Sequence, residues 1–313
     1  MSRTPLIVGC EGPAADGVNP ILAQEGCHRR GRKALIAAAV GACAILGPML
    51  IAPSASAADN DGGGNRVSNS ANDHSNASNT VQGYKNDVAA KANDHSFAGN
   101  LVIGKKNDAV AKANDHSLAG NIVIGNKNDA VAKANDGSAA LNIVNGDKNK
   151  TTATANDGSL ALNVVNGNKN NATAKANDES TAVNLANGNN NHVTASANND
   201  SHATNIVNGN NNSASAVADY KGVAASTASG GSTANSFAFG AKSAATATAS
   251  GTGSTAEAVA LGGGTANATA SGGNQTAAVA IGNGAAAAAG STTTCGTSGI
   301  TAAVSNNSAC FHV

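Results

Sequence analysis

The sequence predicts an all-β fold, a β-solenoid in which each coil is a strand–turn–strand–turn unit of 21 residues. The first observation is that the same residues recur every 21 positions over seven copies, from Asn72 to Asn212, without an insertion. The second is that small apolar and polar residues alternate within each copy, with the period of two that is typical of a strand. Repetition at a fixed period indicates that each unit stacks on the one before it.

Composition limits the kind of core that this chain can build. Its 313 residues include only 4 Phe, 2 Tyr and no Trp, whereas a globular core of this size normally buries many large side chains. The apolar residues are mostly Ala and Val, which suit a thin stack of closely spaced backbones. The formal net charge is zero, and the only basic cluster belongs to the N-terminal leader. The sequence therefore predicts no nucleic-acid partner.

The N-terminal segment is typical of a secretory leader. A basic stretch at 28–33 is followed by an apolar run at 34–53 and by small residues, which predicts a signal peptide over 1–57 with cleavage after Ala57. The alternatives are an incomplete twin-arginine motif, a lipobox ending at Cys43, and retention of the apolar run as a membrane anchor. We therefore expect a secreted or cell-surface protein, with membrane contact only if the leader is retained.

The repeat that spans 108–127 shows how one coil forms. In its first strand, alanines alternate with residues that vary between copies, so the row containing Ala111 is expected to face inward. In its second strand, Ala119, Asn121 and Val123 share the inward face. The strands are joined by an Asn-Asp-x-Ser turn and by a Gly-x-x-Asn turn, because these residues tolerate positive φ and cap the backbone locally.

Asparagine recurs at the Asn121 position in every copy. In a stacked coil, each such amide donates to one neighbour and accepts from the other, which predicts a continuous ladder. The predicted ladder residues are Asn79, Asn100, Asn121, Asn142, Asn163, Asn184 and Asn205. The predicted turn glycines are Gly83, Gly104, Gly125, Gly146, Gly167, Gly188 and Gly209. For the asparagines of the turns, such as Asn114 and Asn128, we favour local capping of the backbone as the interpretation.

The repeat follows the pattern S-x-A-x-N-x-V-x-G-x-x-N-x-A-x-A-x-A. In one copy this pattern is carried by Ser117, Asn121, Gly125, Asn128 and Ala130. At these positions the segment 72–218 resembles the curli-type repeat. The resemblance implies a stack of β-strands and, as an alternative function, a self-assembling fibre subunit.

Beyond Asp219 the period loosens, and Asn gives way to Ala, Gly, Ser and Thr. Ser236–Gly240, Ala258–Gly262 and Ala278–Gly282 recur 22 and 20 residues apart. These segments look like the S-x-A-I-G head repeats of trimeric autotransporter adhesins, which implies a β-roll.

Cys295 and Cys310 are the cysteines that follow the leader. An even pair in a secreted chain predicts a disulfide that closes a C-terminal cap; the alternative is two free thiols. The predicted organisation is a signal peptide at 1–57, a flexible lead-in at 58–71, the seven-copy region at 72–218, degenerate repeats at 219–290 and the cap at 291–313.

Several columns of like residues suggest binding, and each also has a simpler interpretation. The histidine column, which suggests a metal, consists of His74, His95 and His116. The aspartate column, which suggests calcium, consists of Asp94, Asp115, Asp136, Asp157 and Asp178. The lysine column, which suggests an anionic glycan or lipid, consists of Lys91, Lys112 and Lys133. The Thr-x-Thr pairs, which suggest ice binding, are Thr152/Thr154 and Thr246/Thr248. We interpret them as exposed turn residues and solvated faces.

The sequence contains no constellation of residues that is typical of an active site. It therefore predicts a structural or adhesive protein with no catalytic activity, no metal and no cofactor. The expected partners are the protein itself, by end-to-end or lateral association, or a component of an extracellular surface or matrix. A calcium-binding or ice-binding solenoid is the remote alternative.

Overall fold

The computed structural model describes residues 56–59, 63–290, 292–295, 299–306 and 308–313. The predicted signal peptide and its alternative, a membrane anchor at 34–53, lie outside the described residues, apart from Ser56 and Ala57. All regular structure in the described part is β-strand. No helix among these residues is long and apolar enough to cross a membrane.

Within the described residues, 26 strands form two sheets of 13 strands each. Sheet A contains β1 (Ser56–Asp59), β3 (Asn76–Tyr84), β5 (Phe97–Lys105), β7 (Leu118–Asn126), β9 (Ala139–Asn145), β11 (Leu160–Asn166), β13 (Thr181–Asn187), β15 (His202–Asn208), β17 (Val223–Ser229), β19 (Ala244–Ser250), β21 (Thr265–Ser271), β23 (Ala285–Ala289) and β24 (Thr292–Cys295). Sheet B contains β2 (Arg66–Ala71), β4 (Asp87–Ala92), β6 (Asp108–Ala113), β8 (Asp129–Ala134), β10 (Lys150–Ala155), β12 (Asn171–Asn177), β14 (His192–Asn198), β16 (Ser213–Asp219), β18 (Thr233–Phe239), β20 (Thr255–Leu261), β22 (Gln275–Ile281), β25 (Ile300–Ser305) and β26 (Ser308–His312).

Each coil contributes one strand to each sheet and pairs in parallel with the coils before and after it. Asn121 lies opposite Asn100 on one side and Asn142 on the other, so the register between coils is 21 residues. The parallel pairs extend through about eleven turns. The predicted fold, a β-solenoid with one coil per 21 residues, is confirmed.

The core is a thin layer of Ala and Val between the two sheets. Ala111 is fully buried, whereas its neighbour Lys112 is exposed, as the alternation in the sequence predicts. In the facing strand, Ala119 and Val123 are fully buried on the same side as Asn121. Small side chains at nearly every inward position allow the two sheets to pack closely along the whole stack.

Part of the predicted flexible lead-in belongs to the stack. Residues 66–71 form β2, which pairs in parallel with β4 and places Val67 opposite Val88. The expectation of a flexible lead-in is therefore wrong for this part, in which Val67, Asn69 and Ala71 alternate with more exposed residues as in the other strands of the stack. Strand β1 also spans the predicted cleavage site after Ala57.

The degenerate repeats after Asp219 continue the same two sheets. Strand β17 pairs with β15 and β18 pairs with β16, both in parallel. Ser213 lies opposite Thr233, which lies opposite Thr255, so these coils contain 20 and 22 residues. The change in length is absorbed in the turns, and the inward row that contains Ala218 continues without interruption through Ala238, Ala260 and Ala280.

The C-terminal end differs from the rest of the stack because each of its strands pairs antiparallel with the strand before it in the same sheet. Strand β24 pairs antiparallel with β23 in sheet A, and β25 and β26 do the same beyond β22 in sheet B. Cys295 in β24 and Cys310 in β26 form a disulfide. The bond therefore joins the terminal strands of the two sheets.

Candidate interaction surfaces

The Asn121 column forms a buried ladder through the middle of the stack. The Asn121 side-chain Nδ2 donates to Asn100 Oδ1 at 2.7 Å, and its second hydrogen goes to the carbonyl of Val110 at 2.6 Å in the facing sheet. The Nδ2 to Oδ1 distances along the column are 2.7–2.8 Å from Asn79 to Asn205. Each amide therefore links two coils and both sheets, which satisfies a polar group that would be costly to bury alone.

A second buried ladder runs through the Gly-x-x-Asn turns. The backbone N–H of Asn128 donates to Asn107 Oδ1 at 3.0 Å, and its side-chain Nδ2 donates to the carbonyl of Gly146 at 2.7 Å. Both partners lie in neighbouring coils. The expectation that Asn128 caps its own turn was therefore wrong. Its equivalents are Asn86, Asn107, Asn149, Asn170, Asn191 and Asn212.

The turn glycines are required by the close approach of successive coils. Gly125 has a φ of 130°, and a Cβ built on it would lie 2.0 Å from the carbonyl oxygen of Gly146. That oxygen is the acceptor for Asn128, so it cannot withdraw without breaking the second ladder. All seven predicted turn glycines have positive φ, and Gly83, Gly104 and Gly125 lie within the ends of strands.

The Asn-Asp-x-Ser turns form one edge of the solenoid. Asp115 and His116 both have positive φ, 49° and 57°, a conformation that Asp and Gly tolerate better than most residues. Ser117 is buried; its hydroxyl donates to the carbonyl of Asp115, and its backbone N–H donates to the hydroxyl of Ser96 in the previous coil. Asn114 also bonds between coils, to Asn135 at 3.3 Å.

The histidine and aspartate columns lie exposed on this turn edge. The rings of His74, His95 and His116 stack with centroids 5.1 Å apart. Among the described residues, no group of three or more His, Cys, Asp or Glu is placed to hold a metal ion. Further along the edge is an open groove of about 1100 Å³, whose lining includes several acidic residues, Lys221 and the edge-to-face pair Tyr220 and Phe239.

The outer face of sheet B is charged near the N-terminal end of the stack. The lysine column consists of Lys91, Lys112 and Lys133, all exposed and in register. A different set of carboxylates, the sheet-B aspartates, lies on the same face and consists of Asp87, Asp108 and Asp129. Burial, followed by the charges of Asp129 and Asp87, raises the pKa of Asp108 above its ordinary value of 3.8. Successive coils at about 4.8 Å spacing place like charges close together in both columns.

The outer face of sheet A is apolar between β5 and β15. Its central column consists of Leu101, Ile122, Ile143, Val164, Leu185 and Ile206. Beside it lie Phe97, Leu118, Leu141, Leu160, Leu162 and Val183. The side chains of Leu185 and Ile206 are 39% and 46% exposed. Within the described residues, the only Asp, Glu, Lys or Arg in these six strands is Lys105, which is exposed at the C-terminal end of β5.

No family model, curated protein or solved structure matches this chain. The surfaces described above are therefore interpreted from their own chemistry.

Proposed function

We propose that this protein is a secreted or cell-surface structural and adhesive rod without catalytic activity. The observation that supports this proposal best is the repetition of surface chemistry. Columns on both faces present the same side-chain type over several successive coils, as the lysine column does over three, and such a surface suits an extended or repetitive partner. The buried ladders give the rod a fixed register, so its faces remain aligned along its length.

The adhesive face in this proposal is the outer face of sheet B. Lys91, Lys112 and Lys133 project from it in register, about 13 Å along the strands from the aspartates of the same face, and stacked ammonium groups attract an anionic polymer by summed charge. Neighbouring threonines at 152 and 173 add hydroxyl groups in the adjoining column. The partner proposed is an anionic glycan of an extracellular surface or matrix.

A glycan and matrix-protein array tests the adhesive role. We expect the purified protein to bind anionic glycans and to lose that binding when all three column lysines are replaced by Gln. The matched control replaces Lys85, Lys106 and Lys127 by Gln, since these lie in the Gly-x-x-Asn turns and change the net charge equally. Absence of binding to every component, or equal loss in both triple variants, would contradict the proposal.

The alternative is a curli-like subunit that assembles end to end. In its favour, β1 and β2 are terminal strands, and among the described residues neither has a strand on its other side; such edges invite addition of another chain. At the opposite end, however, β24 runs antiparallel to the strands of sheet A, and β26 pairs antiparallel with β25, so an incoming copy cannot continue the parallel register in both sheets there. A seeded thioflavin T time course separates the two functions: a lag shortened by seeds supports the fibre, and a flat trace supports the rod.

Calcium or ice binding is the remote alternative. The threonine pairs at 152/154 and 246/248 lie on different sheets, so they do not combine into one flat array. Calcium binding would be seen as a rise in melting temperature on adding the ion, and thermal hysteresis would reveal ice binding.

A further inference from the structure

The apolar outer face of sheet A has dimensions that a stable interface needs. Six strands at about 4.8 Å spacing and seven residues at about 3.3 Å per residue give a footprint of roughly 600 Å². The exposed part of this patch is smaller than the footprint, because Phe97, Leu141 and Val183 are buried against neighbouring side chains; it lies within the range of the largest apolar patches on monomeric soluble proteins, which are often functional. Two such faces together bury about 1,200 Å², the lower limit for a specific protein–protein interface.

The patch has the composition of an interface core with a polar rim. Its centre is aliphatic, and the outermost column on one side changes from Ile103 and Ile124 to Asn145, Asn166 and Asn187. Neutral amides at the border supply hydrogen bonds without the desolvation cost of charged groups. The patch also ends within the rod, since the column beyond Ile206 continues with Thr227.

We infer that the outer face of sheet A is the interface of a dimer in which two copies pack these faces against each other. A second copy of the same face is favoured as the partner over the outer face of sheet B. The latter carries the lysine column and the sheet-B aspartates, and contact with an aliphatic surface would leave these charges desolvated and unpaired. A bounded patch forms a closed, two-fold pair and does not propagate into a filament. Sheets packed face to face at about 10 Å interdigitate their side chains in this way.

The chemistry of the face fits a protein surface better than a lipid surface. Membrane-surface elements place rows of Lys or Arg beside the apolar stripe and use Trp at the boundary, whereas these six strands contain no Trp and a single basic residue, Lys105 at the end of β5. A lipid surface is therefore one outcome of the test and is not the proposal. The inference does not depend on the extracellular role proposed above.

Sedimentation velocity over a wide concentration range tests the dimer. We expect twice the chain mass for the purified protein, and the mass of one chain for Ile143→Lys, which places a charge at the centre of the apolar face. The matched control is Val131→Lys, at the centre of the outer face of sheet B, which is expected to remain a dimer. Leu185→Lys, at a more exposed position, is expected to behave like Ile143→Lys and provides a second variant if the first folds poorly. Circular dichroism verifies that each variant remains β-rich.

A protein that is monomeric at all concentrations would overturn the inference, and so would binding of the monomer to neutral vesicles through the Ile143 face. Equal dissociation by Ile143→Lys and Val131→Lys, with both variants folded, would place the interface elsewhere. Species that grow beyond the dimer and are unaffected by Ile143→Lys would indicate end-to-end association instead. These results are independent of glycan binding, so failure of one proposal does not imply failure of the other.

Discussion

The side-chain nitrogen of Asn121 lies 2.7 Å from the side-chain oxygen of Asn100, in the coil before it. Each amide in this column donates towards the N-terminal end of the stack and accepts from the coil that follows. The ladder therefore has a direction, and its last oxygen requires a donor from the next coil. Where the repeats degenerate, the column changes from Asn205 to Ser226. The last side-chain oxygen of the ladder therefore has no amide donor in the next coil.

The ladder ends at Asn205, and among the described residues nothing donates to its Oδ1. The next position in the column is Ser226, whose hydroxyl is hydrogen-bonded to the carbonyl of Ser215 and to Ser236. We expect Ser226→Asn combined with Ser236→Ala to restore the donor and to raise the free energy of unfolding by about 1 kcal/mol. The position of Ser236 is occupied by Ala216 in the preceding coil, which leaves room for the amide.

The urea unfolding midpoint measures this effect. Ser236→Ala alone is the control, because it provides space without a donor and is expected to bring no gain. A double variant that is no more stable than this control would show that the unsatisfied oxygen of Asn205 costs nothing.

A second buried polar group lies at Thr151. Its hydroxyl is inside the core and, within the described chain, has no hydrogen-bond partner. Its column contains Val88 and Val193, so the inward space accepts Val. We expect Thr151→Val to stabilise the fold by about 1–3 kcal/mol, because a buried hydroxyl without a partner is removed at constant volume. Thermal unfolding is compared with Thr152→Val, on the outer face, which is expected to change little; a less stable Thr151→Val would contradict the packing described.

The close approach of coils at Gly125 makes a further prediction. Gly125→Ala would place a methyl group against the carbonyl of Gly146 at a φ of 130°, and we expect a loss on the order of 3 kcal/mol or more from strain and overpacking together. Gly137→Ala is the matched control, since Gly137 also has positive φ but has open space around it. Its cost is expected to be about 1–2 kcal/mol, the ordinary penalty of the left-handed region. Similar melting temperatures for the two variants would show that the coils do not approach so closely.

The sheet-B aspartates, Asp87, Asp108 and Asp129, predict a pH-dependent contribution to the free energy of unfolding. Because the folded-state pKa of Asp108 is raised, its ionisation costs more in the folded than in the unfolded chain. The free energy of unfolding therefore falls as pH rises through the folded-state pKa, and this contribution is fully favourable only below the ordinary value of 3.8. We expect Asp108→Asn to be more stable than the natural protein at pH 7 and equally stable at pH 3. A difference that grows towards low pH would have the wrong sign and would contradict this interpretation.

The sequence predicts the strands, their inward rows and the Asn121 ladder because all three follow from one strict period. It does not predict that the turn asparagines bond between coils, since local capping and stacking require the same residue at the same position. Only the close approach at Gly125 and Gly146 distinguishes them, and that distance depends on how neighbouring coils stack. The antiparallel cap was also missed, because the repeats end before β24 and leave no period to extrapolate.

The apolar face of sheet A was not recognised from the sequence either. Leu118, Ile122 and their equivalents vary in identity between copies, so the alternation within one repeat places them on the face opposite Asn121 without indicating what that face has in common. What the variants share is aliphatic character, and this becomes apparent only when the coils are aligned in space. The surfaces that carry the proposals are thus defined by columns across coils and not by motifs along the chain.

Distances between spin labels test the stacked-coil arrangement most directly. The leader cysteines are replaced by Ser, and the spin labels are attached to cysteines introduced in pairs. One pair is at Val110 and Thr194, and the other is at Val110 and Asn235. All three positions lie in one outward column of sheet B. Four and six coils at about 4.8 Å each predict separations of about 19 and about 29 Å between the labelled backbones. Distances that rise in this proportion would support the solenoid. Distances that are equal, broad or unrelated to the number of coils would contradict it.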